Sequence, residues 1–163
     1  MELGGRGLSG ADLDQRFMEA ALAEARAAAS DGEVPVGAVV VWEGRIIGRG
    51  RNRVETTQDP TAHAEILAIG AASQTVKSWR LDEGAIYVTL EPCHMCAGAI
   101  VLARLPRLVY GARDPKAGAC GSLSMVVQDL RLNHRAEVQP GVMAEECGAL
   151  LESFFRTKRR GQV

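Results

Sequence analysis

Residues 36 to 50 read Val36-Gly37-Ala38-Val39-Val40-Val41-Trp42, then Glu43-Gly44, then Arg45-Ile46-Ile47-Gly48-Arg49-Gly50. Apolar runs on either side of a two-residue spacer ending in glycine predict two strands joined by a tight hairpin turn. Upstream, from Asp12 to about Ser30, Phe17, Ala21, Leu22, Ala25 and Ala28 recur at helical spacing, and Asp31-Gly32 supplies a stop. Downstream, Asp59-Pro60-Thr61 carries the capping and start signals of a helix over His63 to Ala72, with apolar positions at Ile66, Leu67 and Ile69. Ala85 to Leu90 then reads as a short apolar strand, residues 94–103 as a helix and Arg107 to Tyr110 as a strand. Val142 to Phe155 reads as an amphipathic helix with Leu150, Leu151, Phe154 and Phe155 to bury. Strands that alternate with helices in this way indicate an α/β layer architecture with a partly parallel sheet.

The order of these elements shows no repeat, linker or domain break. Residues 1–11, with four of the 18 glycines and no apolar period, read as a flexible leader, and residues 12–163 as a single domain. The chain has 163 residues, 47% of them hydrophobic, and a net charge of -1, so it can bury a sizeable core without disulfide staples. Aromatic residues at only 4% and a pI near 6.3 argue against holding nucleic acid mainly through stacking platforms or bulk positive charge. Charge is nevertheless uneven: residues 1–103 carry 9 basic and 14 acidic side chains, and residues 104–163 carry 10 and 6. No apolar run is long enough for a membrane span and no secretory signal is present, which gives a cytoplasmic expectation. In a reducing compartment Cys93, Cys96, Cys120 and Cys147 read as thiols or metal ligands.

Two fragments carry chemistry. His63-Ala64-Glu65 opens a predicted helix, and Pro92-Cys93-His94-Met95-Cys96 stands at a strand-to-helix junction. One imidazole and two thiolates are a ligand set that zinc accepts in tetrahedral geometry, leaving the fourth position for water or substrate. Cys93 and Cys96, three apart, would share one helix face, and a helix N-terminus favours thiolate over thiol. Glu65, two residues from His63, is placed to carry protons without being a ligand. The ordinary alternatives are a redox pair, or half of a structural zinc site completed by Cys120, Cys147, His94 or His134. His94 follows Cys93 directly and reads as a rim or surface residue, while Cys120 and Cys147 read as small buried thiols.

The paired fragments carry the signature of the zinc nucleobase deaminases, a class that includes the bacterial tRNA deaminases. With Asp59-Pro60-Thr61-Ala62 before His63, Tyr87-Val88-Thr89-Leu90-Glu91 before Pro92, Gly111 to Gly118 and Leu132-Asn133-His134-Arg135, the chain resembles the bacterial tRNA-specific adenosine deaminases of the cytidine deaminase-like superfamily. The resemblance runs from about Phe17 to Arg160. It implies a three-layer α/β/α sandwich around a five-stranded mixed sheet, one Zn2+ per subunit and a homodimer. It further implies deamination of adenosine to inosine at the wobble position of a tRNA anticodon, usually that of an arginine tRNA, with zinc-bound hydroxide attacking C6. Carried over by position, His63, Cys93 and Cys96 match the zinc ligands and Glu65 the general acid/base. Asn52 matches the asparagine that bonds the adenine, and Val34, Pro35 and Ala64 match the pocket wall. Asp114 and Lys116 match a loop on the anticodon backbone, and Phe155 and Arg159 a helix end against RNA.

For several of these positions the local sequence has a plainer reading. Asn52 is a turn former, Lys116 a loop residue in solvent, and the basic C-terminus a complement to the negative end of the helix dipole. Three rival functions also stand: a deaminase of free bases or nucleotides, a structural zinc module binding RNA, and a thiol redox protein. The first shares the zinc motifs but not Asn52, the Gly111 to Gly118 loop and the basic end. The second needs a closed four-ligand site, and the third gives His63 and Glu65 no role.

Overall fold

The computed structural model describes residues 8–161, so the first seven residues of the expected leader lie outside the described residues. Helix α1 spans Gly10–Ser30, and the backbone N–H of Asp12 donates to Ser9 Oγ at 3.2 Å. That N-cap starts the helix earlier than the apolar period indicates, so Gly10 and Ala11 are helical and not part of a leader. Strands β1 (Gly37–Trp42) and β2 (Arg45–Arg51) form the expected hairpin. Its two turn residues, Glu43 and Gly44, have φ of 52° and 73°, the paired positive values of a turn whose twist matches that of the strands.

Seven elements follow: the four-residue helix α2 (Val54–Thr57), helix α3 (Ala64–Val76), strand β3 (Gly84–Leu90), helix α4 (His94–Leu102), strand β4 (Arg107–Ala112), a short 3-10 helix (Val126–Gln128) and strand β5 (Glu137–Gln139). Helix α5 (Ala144–Arg160) closes the chain. Neither α2 nor β5 shows in the apolar pattern, because four and three residues are too few to display a period. Helix α5 also runs past the expected end at Phe155, through a basic last turn of Lys158, Arg159 and Arg160.

The sheet order is β2-β1-β3-β4-β5, with β1 antiparallel to both neighbours and β3, β4 and β5 parallel. Alternate residues serve opposite faces. Ala38, Val40, Ile86, Val88, Leu108 and Tyr110 join the core under α3 and α4, whereas Val39, Val41, Tyr87 and Val109 join Phe17, Met18, Leu22 and Cys147 under α1 and α5. The result is the expected three-layer α/β/α sandwich around a five-stranded mixed sheet. Among the described residues no helix is long and apolar enough to cross a membrane.

Two helices bury different residues from those expected. In α3 the core face is Ala64, Ala68 and Ala72, and Ile66, Leu67 and Ile69 are only half-buried. The cause is close approach: a Cβ at Gly50 would overlap the α3 backbone at Ala64 and Ala68, so only small side chains fit between. In α5 only Cys147 is fully buried; Leu150, Leu151 and Phe154 are half-buried and Phe155 is exposed.

Candidate active site

Because β1 runs against β3, the start of β1, the end of β2 and the carboxyl ends of β3 and β4 all open on one edge of the sheet. That edge, outside the carboxyl ends of parallel strands where the chain reverses its order of addition, is where open α/β sheets place ligands. A cavity of about 250 Å³ occupies it. Val34, Val36 and Asn52 line it from the hairpin side, His63, Ala64 and Glu65 from the start of α3, and Leu90, Glu91, Cys93, Asp114 and Ala117 from the ends of β3 and β4.

The loop before α3 is built to deliver His63. Asp59 Oδ1 accepts from the backbone N–H and the hydroxyl of Thr61 at 2.8 and 2.7 Å, and Arg53 N donates to Ala62 O. His63 is the N-cap of α3 and Cys93 the N-cap of α4, both with extended backbone. Cys93 therefore does not share a helix face with Cys96 as the spacing suggests; it precedes the first turn, and Cys96 lies within it. The two helix N-termini converge on the three ligand atoms, and their unpaired N–H groups favour negative charge there.

His63 Nδ1 lies 3.6 Å from Cys93 Sγ and 3.5 Å from Cys96 Sγ. Ligand bonds of about 2.05 and 2.3 Å at the tetrahedral angle put nitrogen and sulfur about 3.6 Å apart, so the donor set fits zinc without rearrangement. These three residues are the one metal-competent group of their kind among the described residues. Bonds from Cys96 and His63 pull the Cys93 thiol down to about 3, a thiolate at neutral pH. The Cys93 thiolate and burial push the Cys96 thiol up, so a second thiolate at this spot calls for a cation. Cys93 in turn raises the pKa of His63. Glu65 is 4% exposed, and burial raises its carboxyl above the usual range.

Asn52 is half-buried on the cavity wall, and its Oδ1 accepts from Val54 N at 3.2 Å. The turn-forming role is thus real, and it uses the acceptor end of the amide, leaving the Nδ2 donors for a ligand. Asp114 lines the cavity with its Oδ1 accepting from Lys116 N and Ala117 N. Pro35 is buried outside the lining, and Lys116, Phe155 and Arg159 are exposed and also outside it. His94 is exposed, with Nε2 2.9 Å from Ser124 Oγ, and belongs to no metal group. Cys120 and Cys147 are buried thiols.

Beside the site, two buried carboxylates have no assignment in the sequence reading. Glu33 is 1% exposed and accepts from Thr56 N at 2.6 Å, Thr56 Oγ1 at 3.0 Å and Glu55 N at 3.3 Å, which fixes α2 beside Asn52. Glu91 is 2% exposed and accepts from Asp114 N, Cys120 N, Ser122 N and Ser122 Oγ. Burial alone would raise the Glu91 carboxyl, but the bonds from Ser122, Asp114 and Cys120 outweigh it and leave the group below the usual range. A carboxylate at the end of an apolar strand is the sequence signal that could have found Glu91.

Comparison with known proteins agrees with this geometry. Residues 13–159 match the family model of the MafB19-like deaminases. The tRNA-specific adenosine deaminase of Bacillus subtilis is 50% identical over 147 residues, 90% of this chain and 91% of that protein. A solved structure of a tRNA:A34 deaminase, studied for A-to-I editing at the wobble position of transfer RNA, superposes with a TM-score of 0.80 at 46% identity, over 83% of this chain and 99% of that one. A guanine deaminase from Nitrosomonas europaea superposes with a TM-score of 0.74 at 27% identity, over 86% and 83% of the two chains. With a deaminase metal set, a buried glutamate beside it and near full-length likeness to these enzymes, the chain belongs to the tRNA-specific adenosine deaminases of the MafB19-like deaminase family.

Proposed function

We propose that this enzyme hydrolyses adenosine to inosine at the wobble position of a tRNA anticodon, arginine tRNA included. The observation that carries the reading is the cavity in which buried Glu65 stands beside a His, Cys, Cys set at tetrahedral zinc spacing. His63, Cys93 and Cys96 would hold one zinc ion. When bound, zinc acidifies water from a pKa of 15.7 to about 7 and so supplies a nucleophile suited to an amidine-like ring carbon.

The chain's own residues do the rest. Glu65 takes a proton from the attacking water, returns it to the ring nitrogen next to C6, and passes the second to the departing amine, so that water and adenosine become inosine and ammonia. Val34, Val36, Ala64 and Leu90 keep bulk water from the base, and the Asn52 amide donates to the purine edge. Asp114 faces the ribose and phosphate side, where a carboxylate accepts from a 2′-hydroxyl. Lys116, Phe155 and Arg159, exposed outside the cavity, serve the anticodon stem, with Arg159 in the basic last turn of α5.

The active form is a homodimer of single-domain subunits in the cytoplasm. Leu102 on α4 is 72% exposed and Leu130 is 82% exposed, with Leu123 and Met125 uncovered in the intervening segment. An apolar surface of this kind, next to the α4 ligand helix, is suited to a second copy of the chain.

The test is incubation of the purified protein with an anticodon stem-loop bearing adenosine at the wobble position, beside free adenosine, guanine, cytidine and cytosine. Inosine in the stem-loop is the expected result. Conversion of free guanine alone would move the enzyme to base salvage, the activity of its 27% identical structural neighbour.

A further inference from the structure

Glu91 ends the run from β3 into Pro92 and Cys93, and its carboxylate is in no ion pair among the described residues. Every side-chain partner it has comes from one loop. Oε1 accepts from Asp114 N at 3.1 Å and from Ser122 Oγ; Oε2 accepts from Ser122 N at 2.9 Å and Cys120 N at 3.2 Å. Glu91 N also donates to Ala112 O at 2.8 Å, where β4 gives way to the same loop. Gly118 is pressed against the carboxylate so closely that a Cβ there would overlap it. A buried charge without a cation is tolerable only while its hydrogen bonds are intact, so these four bonds fix the loop from Asp114 to Ser122 on one point.

The consequence reaches the cavity through Asp114 and Ala117, which line it. Asp114 Oδ1 is used by Lys116 N and Ala117 N, which orients the side chain and leaves Oδ2 for a ligand. Both Glu91 oxygens are already taken by loop donors, so the group is not placed to move protons. We propose that Glu91 is a positioning residue that sets Asp114 and Ala117 against the bound RNA nucleotide, and that it governs substrate binding, not proton transfer. The role in RNA binding rests on the deaminase reading above; the hold on the loop does not.

The zinc-loaded wild type, Glu91→Gln and Ser122→Ala are compared. In Glu91→Gln an NH2 replaces one acceptor and faces N–H donors. Hydrogen exchange should accelerate about tenfold or more in peptides covering residues 113–123, with β1, β3 and metal content unchanged. With the anticodon stem-loop, KM should rise about tenfold while kcat stays within about threefold, and the effect should be less than additive with Asp114→Ala. Unchanged loop exchange, a fall in kcat at constant KM, or full additivity would overturn the proposal. Should Glu91→Gln fail to fold, Ser122→Ala decides, since it removes the hydroxyl bond to the same carboxylate: KM raised about threefold supports the role and an unchanged KM rejects it. If the wild type leaves the stem-loop unmodified, the deaminase reading fails on its own, and hydrogen exchange still decides the hold on the loop.

Discussion

Cys96 Sγ lies 3.5 Å from His63 Nδ1, although the two residues are 33 apart in sequence and belong to different helices. With Cys93 they form a group able to hold one metal ion. Cys96→Ala should therefore reduce bound zinc from one ion per chain to a trace and abolish deamination. Metal analysis of the purified variant, with chelation and zinc restoration of the wild type, checks this.

On the proposed mechanism, Glu65 separates metal binding from turnover. Glu65→Gln keeps the shape and cannot carry the proton, so zinc content should match the wild type while kcat falls by roughly 10²- to 10⁴-fold. Comparing metal content with single-turnover rates on the stem-loop reads both quantities; a Gln variant with appreciable turnover would remove Glu65 from its role.

The turn bond of Asn52 and its proposed contact with the base are distinguished by one substitution. Asn52→Asp retains an acceptor for Val54 N but loses the Nδ2 donors. Stability should change by less than about 0.5 kcal/mol, whereas kcat/KM should drop by about 10- to 100-fold, the loss of one buried donor. Denaturant titration and steady-state kinetics on the same preparation make the comparison.

Far from the site, Asp14 binds Arg107 through two contacts, at 2.6 and 2.8 Å, and accepts from the Tyr87 hydroxyl at 2.8 Å. The Arg107 bonds outweigh burial and lower the Asp14 pKa below 3.8. A depressed carboxyl stabilises the fold above its unfolded value and ceases to do so as pH falls through the folded value, so this contribution should begin to fall away below pH 3.8 and be lost at more acid pH. Burial and Asp14 raise the Tyr87 pKa, so its contribution is complete below pH 10 and is lost at higher pH. Asp14→Ala, which strands Arg107 and Tyr87, should cost about 2 to 4 kcal/mol and flatten the acid limb of the stability profile measured by denaturant titration.

The parts of the molecule that could be read from sequence are those whose determinants are local. The Glu43-Gly44 turn announces its hairpin because two adjacent residues supply both positive φ values. The three residues of the metal-competent group are visible because each fragment is a few residues long. Glu33 gives no local signal, and Glu91 shows only as a carboxylate closing an apolar strand, because the donors that define their roles lie 22 to 31 residues away. The same holds for α3, whose alanine face makes sense only once Gly50 is seen against it.

Every cavity residue belongs to the end of an element or to a loop: the approach to β1, the exit of β2, two helix starts and the segments after β3 and β4. No side chain from the middle of the sheet takes part. The lining can consequently vary while the strands' interior residues stay as they are. A guanine deaminase of the same fold at 27% identity is what that freedom would be expected to produce.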